Sequence, residues 1–194
     1  MPEPLNREQA WDLVQEWTAS ESLRRHMLAV EAAMRAYAPK FGGDVETWGM
    51  VGLLHDLDYE RHPDLETGHP RIALKELESR GFSDEFVRAV ASHADFLQVS
   101  RDSPMEKTLF AVDELCGFLM ACAYVRPQGI HGMTPKSVKK KMKTPAFAAA
   151  INRDELRTGA EELGVDFDEH VTLVIAALDE HAEALGLDGR GAVA

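Results

Sequence analysis

The chain of 194 residues is long enough for one substantial domain, and its 45% hydrophobic and 28% charged residues are ordinary for a globular protein. Its formal net charge of -12 argues against a general binder of nucleic acid or of membrane surfaces. The N-terminus lacks a secretory signal pattern, and Asp113 and Glu114 interrupt the longest apolar stretch. We therefore expect a cytoplasmic protein without a membrane anchor.

Helical periodicity dominates the sequence, and no convincing alternating strand pattern occurs. Capping signals mark several starts, such as Ser103 followed three residues later by Glu106, and glycines such as Gly164 follow periodic runs. The sequence therefore predicts an all-α fold. The predicted helices lie near 6–18, 21–38, 44–56, 69–80, 84–94, 104–124, 135–142, 145–151, 153–163 and 167–185.

The helices are expected to form a single domain over residues 1–194, with a core at about 22–124 and a C-terminal helical cap at about 134–186. The segment 126–134 contains Pro127, Gly129 and Gly132, and it is the one plausible internal boundary. Positive charge is concentrated close to this boundary, because residues 115–153 contain seven basic residues and no acidic residue.

The stretch GLLHDLDYERHP, residues 52–63, places His55 and Asp56 directly behind the apolar end of a helix. A buried carboxylate without a partner costs several kcal/mol, so this dipeptide needs a partner such as a metal ion. Asp113 raises the same question, because it lies within a long apolar helix.

Three further histidines stand at helix ends or on a predicted core face: His26, His69 and His93. A single histidine in such a place is more often a hydrogen-bonded core residue than a metal ligand. Together with His55, Asp56 and Asp113, however, they form a mixed imidazole and carboxylate set. Such a set suits Mn, Fe, Co, Ni or Zn, with Mg possible.

The order His26, His55-Asp56, Asp113 resembles the signature of the HD-domain superfamily of metal-dependent phosphohydrolases, over about residues 22–118. The stretch from Gly68 to Glu114 looks like the corresponding part of bacterial HD enzymes that hydrolyse dinucleoside tetraphosphates. The resemblance implies an HD-domain helical bundle with additional C-terminal helices and one or two divalent metals per chain. It implies one metal held by His26, His55, Asp56 and Asp113, with Asp56 bridging to a second metal held by His69 and His93.

In this interpretation Asp56 serves the metals that activate water, and Asp58 is a candidate to orient water or to protonate a leaving group, although a surface role is as plausible. Related enzymes have a phosphate-binding lysine near Leu57–Glu60, and this sequence has none there. The predicted phosphate-contacting residues are Arg25, Lys107, Lys136, Lys139 and Lys140, the last three with Lys143 on one helical stripe that is equally explained as a solvated face. His170 and His181 have the neighbours of a solvated face and receive no role.

The expected function is metal-dependent hydrolysis of a phosphate ester or anhydride of a small phosphorylated substrate, a nucleotide or dinucleotide. One alternative is a di-iron oxygenase of the HD type, and another is a non-catalytic HD scaffold that binds a nucleotide. A nucleic-acid substrate and a membrane are not expected, and the oligomeric state is open.

Overall fold

The computed structural model of the protein describes residues 3–189. Within this range the fold consists of helices and has no strand, which confirms the predicted all-α class. Short 3-10 helices cover Ala38–Phe41 and Asp95–Leu97. The α-helices are α1 (Arg7–Trp17), α2 (Glu21–Tyr37), α3 (Val45–Leu54), α4 (Arg71–Ser79), α5 (Asp84–Ser92), α6 (Pro104–Tyr124), α7 (Pro135–Met142), α8 (Arg153–Leu163), α9 (Phe167–Glu180) and α10 (Ala182–Leu185).

The start of α6 forms as its sequence predicts. The Ser103 side chain accepts a hydrogen bond from the backbone N–H of Glu106, and the Glu106 carboxylate accepts one from the backbone N–H of Ser103 at 2.8 Å. This reciprocal capping box satisfies two N–H groups that the first turn leaves without helical partners. It fixes the start of a 21-residue helix that carries Asp113.

Helix α2 lies at the centre of the bundle, where it packs against α3, α6 and α9. Its buried face is part of one continuous apolar core that reaches from Ala10 on α1 to Leu187 after α10. The approach of α3 to α2 is close at Gly52, because a Cβ there would lie 2.8 Å from the carbonyl oxygen of Val30. This close contact places the C-terminal end of α3 beside α2.

The prediction of a helix at 145–151 is wrong, since this segment forms consecutive turns in which Ala148 has a φ of 45°. The Arg153 guanidinium explains the difference. It donates hydrogen bonds to the carbonyl oxygens of Phe147, Ala148 and Ile151, which a helix would pair with its own amides. The predicted helix at 167–185 also differs, because it breaks at His181 into α9 and α10.

The segment 126–134 is folded against the core. Ile130 is buried, and its N–H donates to the carbonyl oxygen of Leu187 at 2.8 Å. The organisation as a single domain stays a prediction. None of the helices within residues 3–189 combines the length and the apolar character that a membrane crossing requires.

Candidate metal centre

Polar side chains from the ends of three helices, α3, α4 and α5, lie close together beside α2 and α6. Helix α3 ends at Leu54, so that His55 is its C-cap and Asp56 already lies beyond it. His93 is likewise the C-cap of α5, and His69 lies two residues before α4 begins. The structure thus brings together all six side chains of the predicted ligand set: His26, His55, Asp56, His69, His93 and Asp113.

One half of this cluster joins α2, α3 and α6. His26 Nε2 lies 3.0 Å from Asp113 Oδ1 and 3.8 Å from Asp56 Oδ2. His55 Nε2 lies 3.3 Å from the same oxygen of Asp56 and 3.4 Å from Asp113 Oδ1. The atoms of His26, His55 and Asp56 are spaced as a group that could hold a metal ion.

The other half of the cluster uses the second oxygen of the same aspartate. Asp56 Oδ1 lies 3.6 Å from His69 Nε2 and 3.7 Å from His93 Nε2. These three residues form a second group that could hold a metal ion. Asp56 therefore presents one carboxylate oxygen to each half.

Three of the imidazoles are held from behind through Nδ1. Each Nδ1–H donates to an oxygen atom, which leaves Nε2 as an unprotonated nitrogen pointing into the cluster. The pairs are His55 with the carbonyl of Gly52 at 2.8 Å, His69 with the carboxylate of Asp58 at 2.8 Å, and His93 with the carbonyl of Val90 at 2.5 Å.

These orientations leave nitrogen lone pairs without donors. His69 Nε2 and His93 Nε2 face each other at 3.3 Å, although both are acceptors when their Nδ1 atoms carry the protons. His55 Nε2 is fully buried and has no hydrogen-bond partner within the described residues. A cation resolves both conflicts, because it accepts electron pairs from imidazole nitrogens and carboxylates alike. The residues present therefore fit a divalent metal.

The electrostatics of the cluster favour positive charge. Burial lowers the pKa of His55, but the negative charges of Asp56 and Asp113 outweigh it and raise that pKa well above its ordinary value, so that without a metal a proton on Nε2 supplies the positive charge. Burial raises the pKa of Asp113, yet His55 and His26 bring it well below its usual range. The two aspartates are thus anionic and stabilise a positive charge between them.

Five of the six clustered side chains, all except His55, line a cavity of about 460 Å³ that opens to solvent. Carboxylates and apolar side chains form its remaining walls, including Phe110 and Glu114 on α6, Ile151 in the turns before α8, and Glu155 in the first turn of α8. Of the described residues that line this cavity, none is Lys or Arg. Glu114 and Glu155 are not among the predicted site residues, and the one signal in the sequence is the position of Glu114 beside Asp113.

Glu114 has an unusual environment for a glutamate. Burial and then the negative charge of Asp113 raise its pKa to about 7. Glu155 contributes to this increase from across the cavity. The cavity wall therefore carries a carboxyl group that is only partly ionised at neutral pH.

Asp58, predicted to act on water or on a leaving group, occupies a different place. Its side chain is fully buried, and its oxygens accept from His69 Nδ1 at 2.8 Å and from the backbone N–H of Ala73 at 2.7 Å. The residue therefore stands behind His69 and does not line the cavity. A surface role for Asp58 is wrong, and its contacts are those of a positioning residue.

The predicted phosphate-contacting residues do not line the metal cavity. Arg25 pairs with Glu21 and lies against Gly186. Lys139 pairs with Asp168 at 2.7 Å on the outside of the bundle. The remaining three are Lys136 and Lys140, which are exposed on α7, and Lys107, which is partly buried near the start of α6.

His170, assigned to a solvated face, is buried instead. Its Nδ1 accepts a hydrogen bond from the Tyr37 hydroxyl at 2.6 Å, and its Nε2–H donates to the carbonyl oxygen of Ala111 at 3.0 Å. Burial lowers its pKa to about 4. The acidic neighbours Asp168 and Glu169 suggested exposure, but His170 lies on the inner face of α9 with Val171 and Val174.

Comparison with known families identifies the part of the chain that carries the cluster. The model of the HD domain family matches residues 23–117, a range that includes all six side chains. This segment is similar to an HD domain. Proteins with that domain bind divalent metals, and the His and Asp groups described above lie within the matched segment.

One curated protein is also similar to part of the chain. Ribonuclease Y of Rhodopirellula baltica is 26% identical over 129 residues, which are 66% of this chain and 23% of that protein. The matched segment thus spans less than a quarter of that relative. The comparison with solved structures gives no significant match.

Proposed function

We propose that the protein is a metal-dependent phosphohydrolase that cleaves a phosphate ester or anhydride of a small metabolite. A nucleotide is the first candidate for this metabolite. The observation that carries the proposal is the cluster of unpaired imidazole Nε2 atoms around Asp56. His26, His55, Asp56 and Asp113 would hold one metal, and Asp56, His69 and His93 would hold a second. Bound there, divalent metals supply a water of lowered pKa and neutralise charge on phosphate oxygens.

Residues around the cluster orient the imidazole rings and shape the cavity in which hydrolysis would occur. The Nδ1 hydrogen bonds fix the ring planes, so that little reorganisation is needed when the site fills. Phe110 and Ile151 add apolar surface to the cavity wall. Glu114 faces the same space and is placed to contact a substrate bound at the cluster.

The name of the relative suggests RNA phosphodiesters as an alternative substrate. The acidic cavity disfavours a long polyanion, because Asp95, Glu114 and Glu155 line it and no described lining residue is basic. A small phosphorylated molecule needs fewer compensating charges. It is therefore the proposed substrate class.

The test combines metal analysis with phosphate release. Protein purified without chelator is analysed for metals and then assayed with Mn or Fe against nucleotides, simple phosphate esters and RNA. His55→Ala and Asp113→Ala should lower the rate by at least about 100-fold, because each removes a direct ligand. Activity with Mn in the absence of oxygen separates hydrolysis from oxygenase chemistry.

The matched control is His131→Ala, which removes an exposed histidine paired with Asp179 far from the cluster. This variant should keep its metal and its rate. Circular dichroism verifies that each variant is folded. Wild-type rates in both His55→Ala and Asp113→Ala would contradict the proposal.

A further inference from the structure

A second cavity of about 550 Å³ adjoins the metal cavity. His26, Tyr59 and Gly117 line both spaces, so the two cavities meet at these residues. We call this second space the tyrosine groove, because Tyr59 forms one part of its wall and Tyr124 another. A molecule bound at the histidines can extend into the groove without leaving the surface of the protein.

The tyrosine groove has an apolar wall. Leu23, Pro63 and Met120 line it together with the two tyrosines, whose side chains are 46% and 44% exposed. Exposed aromatic rings beside a cavity offer flat apolar faces on which another ring can stack.

The groove has no positively charged side chain that could pair with a second phosphate of a bound molecule. Among residues 3–189, no Lys or Arg lines it. Its one acidic residue, Glu60, already accepts hydrogen bonds from the backbone N–H groups of Ala19 and Ser20 at 3.1 and 2.9 Å. A chain of phosphates would therefore remain without compensating charge in this space.

Gly117 lies where the two cavities meet and has no packing reason to be glycine. It lies within α6, where glycine costs about 1 kcal/mol relative to alanine. A Cβ at this position would meet only Ile151 Cδ1, at the ordinary contact distance of 3.5 Å. What the missing side chain leaves open is the passage between the metal cavity and the tyrosine groove.

We propose that the substrate is a phosphate monoester whose leaving group is uncharged and ends in an aromatic ring. This rests on the proposed phosphohydrolase function. The phosphate lies at the histidine and aspartate cluster, the linking atoms pass Gly117, and the ring lies between Tyr59 and Tyr124. Water forms a bond to phosphorus and loses a proton, the bond from phosphorus to the ester oxygen breaks, and that oxygen ends with the proton that the water lost, giving an alcohol and inorganic phosphate.

Two synthetic esters test the proposal directly. 2-Phenylethyl phosphate and ethyl phosphate have leaving groups of similar basicity and differ by the ring, and ATP supplies a polyanionic comparison. The wild type should prefer 2-phenylethyl phosphate through a lower KM. Tyr124→Ala should raise that KM by about tenfold, the equivalent of about 1.4 kcal/mol of lost ring contact, and should leave ethyl phosphate unaffected.

Val125→Ala is the matched control, since Val125 is the exposed neighbour of Tyr124 and does not line the groove. It should leave both KM values unchanged. Gly117→Leu should close the passage and lower kcat/KM for 2-phenylethyl phosphate by at least about tenfold relative to ethyl phosphate. Gly117→Ala should raise the thermal midpoint by about 2–4 °C, because the helix gains a better former.

The outcomes separate the two proposals. An unchanged ratio of the two esters in both Tyr124→Ala and Gly117→Leu would overturn the assignment of the groove while leaving hydrolysis intact. If no ester is hydrolysed with any metal, the phosphohydrolase proposal fails. Calorimetric titration of 2-phenylethyl phosphate into wild-type and Tyr124→Ala protein then still decides whether the groove binds the ring.

Discussion

Asp58 shows how a single residue can control a cluster that it does not join. Its carboxylate accepts from His69 Nδ1 and from the N–H of Ala73, so it couples the orientation of one imidazole to the first turns of α4. An amide in its place can satisfy only one of these two donors, because its nitrogen is itself a donor.

Asp58→Asn should therefore weaken the half of the cluster that contains His69. Loss of such a supporting hydrogen bond typically lowers metal affinity by about 10–100-fold. Competition with a chelating dye would measure the metal affinity. Of two metals bound per chain, the one with the lower affinity should be bound more weakly in the variant. Asp179→Asn, which alters the exposed pair with His131, should change nothing. Equal affinities for wild type and Asp58→Asn would contradict the role given to Asp58.

At the scale of the elements, the end of α3 is defined by its contact with α2. The Gly52 carbonyl holds the His55 ring, and the missing side chain of Gly52 allows the close approach to Val30 and Glu31. One residue thus sets both the distance between two helices and the direction of an imidazole. The sequence GLLHD contains this information, but only the packing of α2 reveals it.

Gly52→Ala should destabilise the protein. The added Cβ would lie 2.8 Å from the Val30 carbonyl oxygen and 2.9 Å from the Glu31 nitrogen, and these backbone atoms cannot rotate away. Overpacking of this kind costs about 1–3 kcal/mol of the free energy of unfolding, which urea titration would measure. Gly117→Ala, the same substitution in a helix where space is free, should have the opposite sign. A neutral Gly52→Ala would show that α2 and α3 can separate without cost.

The histidines and aspartates were predictable because their chemistry conflicts with their apolar neighbours in the sequence. His55, Asp56 and Asp113 each stand out in this way. Ile151 and Glu155 could not be found by the same reasoning, since they face the cavity only because Gly159 lets α8 approach α6 closely at Ala111. The turns at 145–151 escaped prediction for a related reason, which is that a distant side chain, and not the local pattern, satisfies their carbonyl groups.

For the whole molecule, buried His170 links stability to pH. Its pKa is about 4 in the folded protein because burial disfavours the charged ring, whereas the unfolded chain has the ordinary value near 6.5. Between these values the unfolded state binds more protons than the folded state, so the free energy of unfolding falls as the pH falls. The loss should total about 3 kcal/mol at pH 4.

Comparison with His170→Gln isolates this contribution. The difference in unfolding free energy between wild type and variant should shift by about 3 kcal/mol in favour of the variant between pH 7 and pH 4. Urea titrations at several pH values provide the measurement. His181→Gln, at an exposed position, is the control. A difference that stays constant with pH would mean that His170 becomes protonated without unfolding.

The turns before α8 have one more consequence. The six clustered histidines and aspartates come from residues 26–113, within the matched family segment, whereas Ile151 and Glu155 reach the cavity from a stretch tied together by the Arg153 guanidinium. The reactive groups and one part of the cavity wall are therefore encoded in two separate parts of the gene. Sequence changes in the later part can alter which molecules fit while the earlier part stays the same.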